Sequence, residues 1–214
     1  MKTLNDLGKK LVKCNLHCDG IKNNPTIGVI PRGLVLEERK GGRTCAVVGL
    51  NPGKCKKAER DYYLSKGIRY SSIVDYFMSN LRDGSYYGRN KEVINLLRFD
   101  GDILWTDLIK CECSGKNGTL PIQTIRVCVN TFLRQEIMLF KCSTIFALGN
   151  KAFNFCALSF PNHYVICVPH LNSRGDFSRL RNRIARNRRH FIQKIFDTKD
   201  IDGNYRAVKL KLLE

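Results

Sequence analysis

Four short apolar runs, separated by helical patterns, limit the folds that this sequence can adopt. The runs cover residues 44–50, 103–109, 143–149 and 164–169. Runs of this length without polar alternation are typical of strands buried on both faces of a parallel sheet. Helical spacing of apolar residues occurs between and after them, at residues 70–81, 121–140, 150–158 and from Phe177 onward. The alternation predicts a three-layer α/β/α sandwich around a central sheet of four mostly parallel strands.

We expect one domain over residues 1–214, with a core drawn from the 43% of residues that are hydrophobic. Residues 10–43 carry a cysteine pair and a long excursion before the first strand, and residues 197–214 form a tail to which the sequence assigns no role. Residues 1–13 are polar and charged, unlike a signal peptide, and no run approaches the roughly 18 apolar residues of a membrane span. The expectation is a monomeric cytoplasmic protein with no membrane partner.

The chain is strongly basic. It carries 37 lysine and arginine residues against 19 aspartate and glutamate residues, a formal net charge of +18. This favours a polyanionic partner, and nucleic acid leads because neutralising phosphates releases counterions. An anionic membrane surface and mere solubility are the competing interpretations. Residues 174–194 hold seven arginines and one lysine against one aspartate, which favours phosphate binding by this segment.

Two loops carry the residues best suited to chemistry, and each follows a predicted strand. Ligands bind at the carboxyl ends of the strands in parallel sheets. The first strand ends in the tight turn Gly-Leu-Asn-Pro-Gly at residues 49–53, which presents the amide of Asn51. The last strand runs into Pro-His-Leu-Asn-Ser-Arg-Gly at residues 169–175, where His170 can donate a hydrogen bond to a developing anion and small polar residues can hold a phosphate. Taken singly, each loop is also compatible with an ordinary turn.

Together, the two loops resemble those of the uracil-DNA glycosylase superfamily. Residues 49–53 resemble its water-positioning motif in the asparagine variant, the loop from His170 resembles its His-Pro-Ser loop with Leu171 in place of proline, and Phe-Ala-Leu-Gly-Asn-Lys-Ala at 146–152 resembles its strand-to-helix segment. The resemblance implies a monofunctional DNA glycosylase that flips a pyrimidine out of DNA and hydrolyses its N-glycosidic bond. It assigns Asn51 to orient the water and His170 to stabilise the departing base. The pocket for the base would be lined by Gly49, Leu50, Pro52 and Gly53.

The cysteines point to one branch of this superfamily. Thr-Asp-Leu-Ile-Lys-Cys at residues 106–111 resembles a segment of the iron–sulphur uracil-DNA glycosylases, in which four cysteines bind a [4Fe–4S] cluster. The corresponding residues here are Cys14, Cys18, Cys111 and Cys128. Three residues separate the N-terminal pair, where the branch usually has two. The resemblance implies a structural cluster, with zinc held by four cysteines as the alternative cofactor and Cys113 as the alternative to Cys111.

Asp107 departs from the resembled pattern, in which an asparagine reads the edge of the base. An ionised aspartate has no donor and would face O4 of uracil with a lone pair. A protonated aspartate complements cytosine, since it can donate to N3 and accept from the N4 amine, and a dry pocket favours that form. Gly53 leaves room at position 5 of the base, where strict uracil enzymes have a blocking tyrosine. A 5-modified cytosine fits both observations, such as the hydroxymethylated or glucosylated base of phage DNA attacked by antiviral members of the superfamily.

Further DNA contacts are assigned by position. Tyr62 or Tyr63 is the candidate to stack on the flipped base, and a tyrosine of the core is the equal alternative. The candidate contacts to phosphate are Asn172, Ser173, Arg174, Arg179, Arg183 and Arg186. A uracil-DNA glycosylase of base excision repair is the alternative function within the superfamily. A non-catalytic, metal-stabilised nucleic-acid-binding module is the alternative from another class.

Overall fold

The computed structural model of the protein describes residues 3–115, 120–170, 174–197 and 207–209. The α-helices in these ranges are α1 (Leu4–Val12), α2 (Lys57–Lys66), α3 (Tyr70–Tyr76), α4 (Ser85–Leu96), α5 (Ile122–Cys128), α6 (Arg134–Phe140), α7 (Asn150–Ser159), α8 (Arg174–Arg186) and α9 (Arg188–Asp197). The strands are β1 (Ile21–Lys22), β2 (Leu34–Glu37), β3 (Cys45–Gly49), β4 (Ile103–Asp107), β5 (Glu112–Cys113), β6 (Thr144–Leu148), β7 (Tyr164–Val168) and β8 (Ala207–Lys209). Two π-helical turns extend α3 and join α5 to α6, at Phe77–Leu81 and Val129–Leu133.

The main sheet has the strand order β2-β4-β3-β6-β7-β8, and a separate antiparallel pair joins β1 to β5. Strands β3, β6, β7 and β8 pair in parallel. The α/β sandwich with a mostly parallel sheet is therefore confirmed. The four predicted strands are β3, β4, β6 and β7, whose side chains are almost all buried, as their apolar runs require. Strands β2 and β8 add to the predicted four.

The chain divides into two compact units. The first comprises Met1–Leu36, Leu50–Leu81 and Leu104–Lys141. In it, α1 packs against α3 and α6. Helix α1 begins with a capping box, in which the Thr3 side chain accepts from the backbone of Asp6 and the Asp6 carboxylate accepts from Thr3. Gly8 lets the helices approach closely, because a methyl group there would lie 2.4 Å from the Tyr70 ring.

The second unit comprises Glu37–Gly49, Arg82–Ile103 and Cys142–Glu214. Helix α7 packs on β6 and β7, and the rings of Phe99 and Phe146 meet edge to face at 5.0 Å in its core. The helix predicted from Phe177 onward begins three residues earlier and is interrupted at Asn187, which separates α8 from α9. Its predicted apolar stripe is buried as expected at Phe177, Leu180, Ile184 and Phe191.

Candidate functional site

The predicted water-positioning loop leaves β3 at Gly49. The Asn51 side chain is half-buried, and its Nδ2 donates to the carbonyl of Pro52 at 2.8 Å. This hydrogen bond occupies the amide nitrogen and leaves Oδ1 as the atom suited to accept from a water. Gly53 is exposed, and a methyl group there would meet nothing within 4 Å. A side chain at position 53 would therefore extend into open space.

The two candidate stacking tyrosines differ in their surroundings on α2. Tyr63 is 1% exposed and donates from its hydroxyl to Glu59 at 3.0 Å, so it forms part of the core of the first unit. Tyr62 is half-buried, and its ring lies 5.2 Å from that of Tyr76. The geometry favours Tyr62 over Tyr63 as the ring able to meet a base.

Asp107 ends β4 with its side chain half-buried against Gly33. A methyl group at position 33 would lie 2.8 Å from Asp107 Oδ2, so a side chain there would displace the carboxyl. Burial raises the pKa of this carboxyl to about 7, even though Lys110 and Arg32 act to lower it. The Lys110 ammonium donates to the backbone carbonyl of Asp107 (2.7 Å). Near neutral pH the carboxyl is therefore present in both protonation states.

A buried ion pair lies beside Asp107, and sequence reasoning missed it. Lys110 is 1% exposed, and its Nζ lies 2.7 Å from Oε2 of Glu136, which is fully buried. The same ammonium donates to the carbonyl of Gly33 at 3.1 Å and to the Thr106 hydroxyl. Burial raises the pKa of Glu136, an effect that Lys110 opposes. Hydrophobic patterning cannot find such a pair, because its two members lie 26 positions apart, one between β4 and β5 and the other in α6.

A second group of buried charges surrounds Arg32, and the sequence did not predict this group either. Arg32 Nε lies 2.8 Å from Glu59 Oε1, and Nη2 lies 4.0 Å from Glu112 Oε2. Nη2 also donates to the carbonyl of Gly53, in the loop after β3. Glu112 Oε2 accepts in addition from the backbone N–H of Cys55 at 2.7 Å. One arginine thus joins α2, the segment after β4 and the loop that carries Asn51.

The segment that carries Cys14 and Cys18 is held against the segment that carries Cys111. Strands β1 and β5 pair Ile21 with Cys113, and the backbone N–H of residue 114 donates to the carbonyl of residue 20 at 2.8 Å. The hydroxyl of residue 124, in α5, donates to the carbonyl of residue 19 at 2.9 Å. These hydrogen bonds bring the N-terminal pair towards the other two predicted ligands.

The four thiols influence one another. Burial raises the pKa of Cys111 to about 12, and the thiols of Cys128, Cys14 and Cys18 add to the increase. Cys111 and Cys128 are buried, whereas Cys14 and Cys18 are partly exposed. Among the described residues, no three or more His, Cys, Asp or Glu side chains form a group that could hold a metal ion as they stand. By its chemistry, a set of four thiols fits an iron–sulphur cluster or zinc.

His170 follows β7 by two residues and lies in the second unit. Its ring centroid is 6.0 Å from that of Tyr86, near the start of α4. A methyl group on Gly149, at the end of β6, would touch its Cβ at 3.5 Å, which marks a close approach of the two loops. Burial lowers the pKa of the imidazole, so the neutral ring predominates at pH 7.

The candidate phosphate contacts lie in and before α8. Asn172 and Ser173 lie outside the described residues, and of Arg174 only its place at the first position of α8 is described. Arg179 and Arg186 are exposed, and Arg183 is half-buried. Helix α8 packs against α4, and an ion pair of 3.3 Å joins Arg181 to Glu92 between them. The exposed arginines therefore project from a helix that is fixed to the second unit.

Comparison with protein-family models and curated proteins found no relative of this chain. The resemblance to the uracil-DNA glycosylase superfamily therefore rests on the motifs themselves. Separately, no helix in the described ranges is both long and apolar enough to cross a bilayer.

Proposed function

We propose that the protein is a monofunctional DNA glycosylase that hydrolyses the N-glycosidic bond of a flipped pyrimidine. The observation that carries this proposal is the register of three strands. Strands β3 and β7 pair in parallel with β6, with Val48 and Cys167 both opposite Ala147. Within the second unit, the carboxyl ends of β3 and β7 therefore lie at the same edge of the sheet, where parallel sheets bind their ligands. In sequence, Asn51 follows the end of β3 by two residues and His170 follows the end of β7 by two.

The protonation and hydrogen bonding of these two residues suit the proposed reaction. Cleavage leaves positive charge on the sugar and negative charge on the departing base. A neutral His170 can donate a hydrogen bond to O2 of that base. The Asn51 amide is a poor base, but its Oδ1 can orient a water, which suffices when the sugar is already cationic. Neither motif, at residues 49–53 or at residues 169–175, contains a lysine that could act as a Schiff-base nucleophile, so strand cleavage is not part of the proposal.

The proposed substrate is a cytosine with a substituent at position 5. Asp107, with a pKa of about 7, can carry the proton that N3 of cytosine requires as a hydrogen-bond partner. The open space at Gly53 suits a base with a 5-substituent. An enzyme that recognises a cytosine must also distinguish its substrate from ordinary cytosine in its own genome. A substituent at position 5 supplies that distinction. Antiviral defence against phages with modified DNA is the proposed context, in the cytoplasm.

Cys14, Cys18, Cys111 and Cys128 are the proposed ligands of a [4Fe–4S] cluster, with zinc as the alternative. When bound, the group would cross-link the N-terminal segment to the residue before β5 and to α5, and the reaction requires no redox step from it. Purified protein should be brown, absorb broadly near 400 nm and contain about four irons. Stoichiometric zinc without iron, in protein prepared anaerobically, would replace the cluster by the zinc site.

DNA is the proposed partner, bound through the arginines of α8. Replacing Arg179, Arg183 and Arg186 by glutamine should weaken binding and flatten its salt dependence. The slope of log K against log salt should fall by roughly 0.9 for each phosphate of duplex DNA that the variant no longer neutralises. Binding measured from about 50 to 200 mM salt tests this, and an unchanged slope would remove α8 from the interface.

The deciding experiment measures base release. The protein is incubated with DNA bearing uracil, cytosine, 5-hydroxymethylcytosine or its glucosylated form, and free base is quantified. We expect release of a 5-modified cytosine, and Asp107→Asn should shift activity towards uracil by up to about 10⁴-fold in relative preference. Release of uracil alone by the wild type, abolished in Asp107→Asn, would support the repair enzyme. Binding without release of any base would support the non-catalytic module.

Matched variants test the two catalytic assignments. Asn51→Ala and His170→Ala should each lower single-turnover cleavage by roughly 10²-fold or more while DNA binding stays near the wild-type level. Asn80 is an exposed control whose amide also donates to a backbone carbonyl (3.2 Å), and His163 is a half-buried control whose pKa is likewise lowered by burial. Near-normal cleavage by Asn51→Ala or His170→Ala would remove that residue from the mechanism.

A further inference from the structure

The loop that carries Asn51 packs against little at its tip. Gly53 is exposed, a methyl group there would meet nothing within 4 Å, and Lys54 is exposed as well. The loop is held instead by backbone groups. The carbonyl of Leu50 accepts from the N–H of Ile109 at 3.1 Å, and the Gly53 carbonyl accepts from Arg32. A loop of this kind takes its position from the groups that hold its backbone.

Arg32 is the centre of these interactions. Its side chain is 8% exposed, and its own backbone N–H donates to the carbonyl of Lys110 at 2.7 Å. Its guanidinium bridges Glu59 and Glu112, and Glu112 holds the N–H of Cys55 at the far end of the loop. Burying such an ionic group brings little net stability in general. Its planar array of donors does, however, fix the direction of each acceptor.

We propose that Arg32 is a positioning residue for the candidate catalytic loop, and that its partner Glu112 links the loop to the cysteine site. Arg32 holds the Gly53 carbonyl on one side of the loop, and Glu112 holds the Cys55 amide on the other. Since Glu112 directly follows Cys111, a group that immobilises Cys111 also immobilises the carboxylate that anchors the loop. The role of Arg32 in positioning a catalytic loop rests on the proposed function of Asn51. The anchoring of the loop backbone by Arg32 and Glu112 does not.

Hydrogen exchange tests the anchoring without reference to activity. In the full chain as purified, Arg32→Lys keeps the charge but loses the planar fork, and amide exchange in residues 51–56 should become at least about tenfold faster. Arg39→Lys is the matched control, because Arg39 also donates to a backbone carbonyl (Phe99, 3.3 Å) but lies in the second unit. Unchanged exchange in residues 51–56 of Arg32→Lys would overturn the proposal.

A second variant guards against misfolding. Glu112→Gln keeps an acceptor for the Cys55 amide and removes the charge that Arg32 faces, so it should speed exchange in the same residues by a smaller factor. Exchange in β6 and β7 should match the wild type in both variants, which establishes that the effect is local. Faster exchange throughout the chain in both variants would overturn the proposal, since Arg32 and its two carboxylate partners would then support the whole fold.

Kinetics test the positioning role. Displacing a reacting group by about 1 Å can cost 10²-fold in rate, so Arg32→Lys should lower single-turnover cleavage by 10- to 100-fold with an unchanged Kd for DNA. Arg39→Lys should retain the wild-type rate. Wild-type cleavage by Arg32→Lys would overturn the positioning role while leaving the proposed function intact. Absence of cleavage by the wild-type protein would overturn the proposed function, and exchange alone would then decide the anchoring.

Discussion

The pKa of Asp107 makes the stability of the protein depend on pH in a way that a single substitution should remove. Burial raises this pKa from an ordinary value of 3.8 to about 7. Between these two values the folded protein holds a proton that the unfolded chain releases. Stability therefore falls as pH rises from about 4 to about 7, and it stays level with respect to this group above that range. Asp107→Asn cannot ionise and should lack this loss.

The magnitude follows from the two pKa values. Each tenfold change in an ionisation equilibrium corresponds to about 1.4 kcal/mol, so the full effect is about 4 kcal/mol. The carboxyl is half-buried, and solvent screens part of its interactions. We therefore expect Asp107→Asn to gain about 2–4 kcal/mol over the wild type between pH 4 and pH 8. The gain should be small at the acid end and should reach a plateau above pH 8.

Urea unfolding of both proteins at half-unit pH intervals measures this difference. Asp61→Asn is the control, because it removes the same charge from an exposed position on α2. A difference between Asp107→Asn and the wild type that is constant from pH 4 to pH 8 would show that folding does not raise the pKa of Asp107. In that case Asp107 would be ionised throughout and could not donate a hydrogen bond to N3 of cytosine.

Two further predictions concern the groups packed around Asp107. Gly33→Ala should lower the free energy of unfolding by about 1–3 kcal/mol, because its methyl group would lie 2.8 Å from Asp107 Oδ2. As the control, Gly115→Ala places a methyl group in open space and should change the free energy of unfolding by under about 0.5 kcal/mol. Lys110→Met should cost about 3–5 kcal/mol in urea unfolding by leaving Glu136 buried without its partner, and adding Glu136→Leu should recover part of this. If Lys110→Met alone is no less stable than the double variant that also carries Glu136→Leu, the buried pair is not ionised in the folded protein.

The elements predicted from sequence are those whose pattern reports directly on burial. The four apolar runs form strands because short uninterrupted apolar runs bounded by turn residues suit strands buried on both faces of a sheet. Helix α1 was missed although its signal is present, with Thr3 and Asp6 at capping-box spacing before an apolar stripe at Leu7 and Leu11. Helix α2 gave little signal, since it buries only Glu59 and Tyr63. A helix with so narrow a buried face has no clear periodicity.

The candidate site was predicted only in part for a related reason. Asn51 and His170 could be proposed from sequence because turn residues after a strand mark its carboxyl end. Arg32 and its partners were not, since Arg32 lies 27 positions from Glu59 and 80 from Glu112, and only the folded chain brings them together. In sequence, a buried charge looks the same as an exposed one. Its pairing is a property of tertiary structure, which local patterns cannot report.

The π-helical turn at Val129–Leu133 limits which changes in length this segment can accept among homologues. Lys110 meets Cys128 Sγ through its backbone N–H (3.4 Å) and Glu136 through its ammonium. Two turns of a regular α-helix take about seven residues, so side chains eight positions apart point in directions that differ by about 80°. A π turn takes up one extra residue, which brings these two onto the same face. Side chains within the turn can vary, and loss of its one extra residue would leave these two side chains seven positions apart on a regular α-helix, still on one face. Gain of a further residue would instead rotate Glu136 away from Lys110 by about 100°, so homologues should tolerate a deletion in this segment better than an insertion.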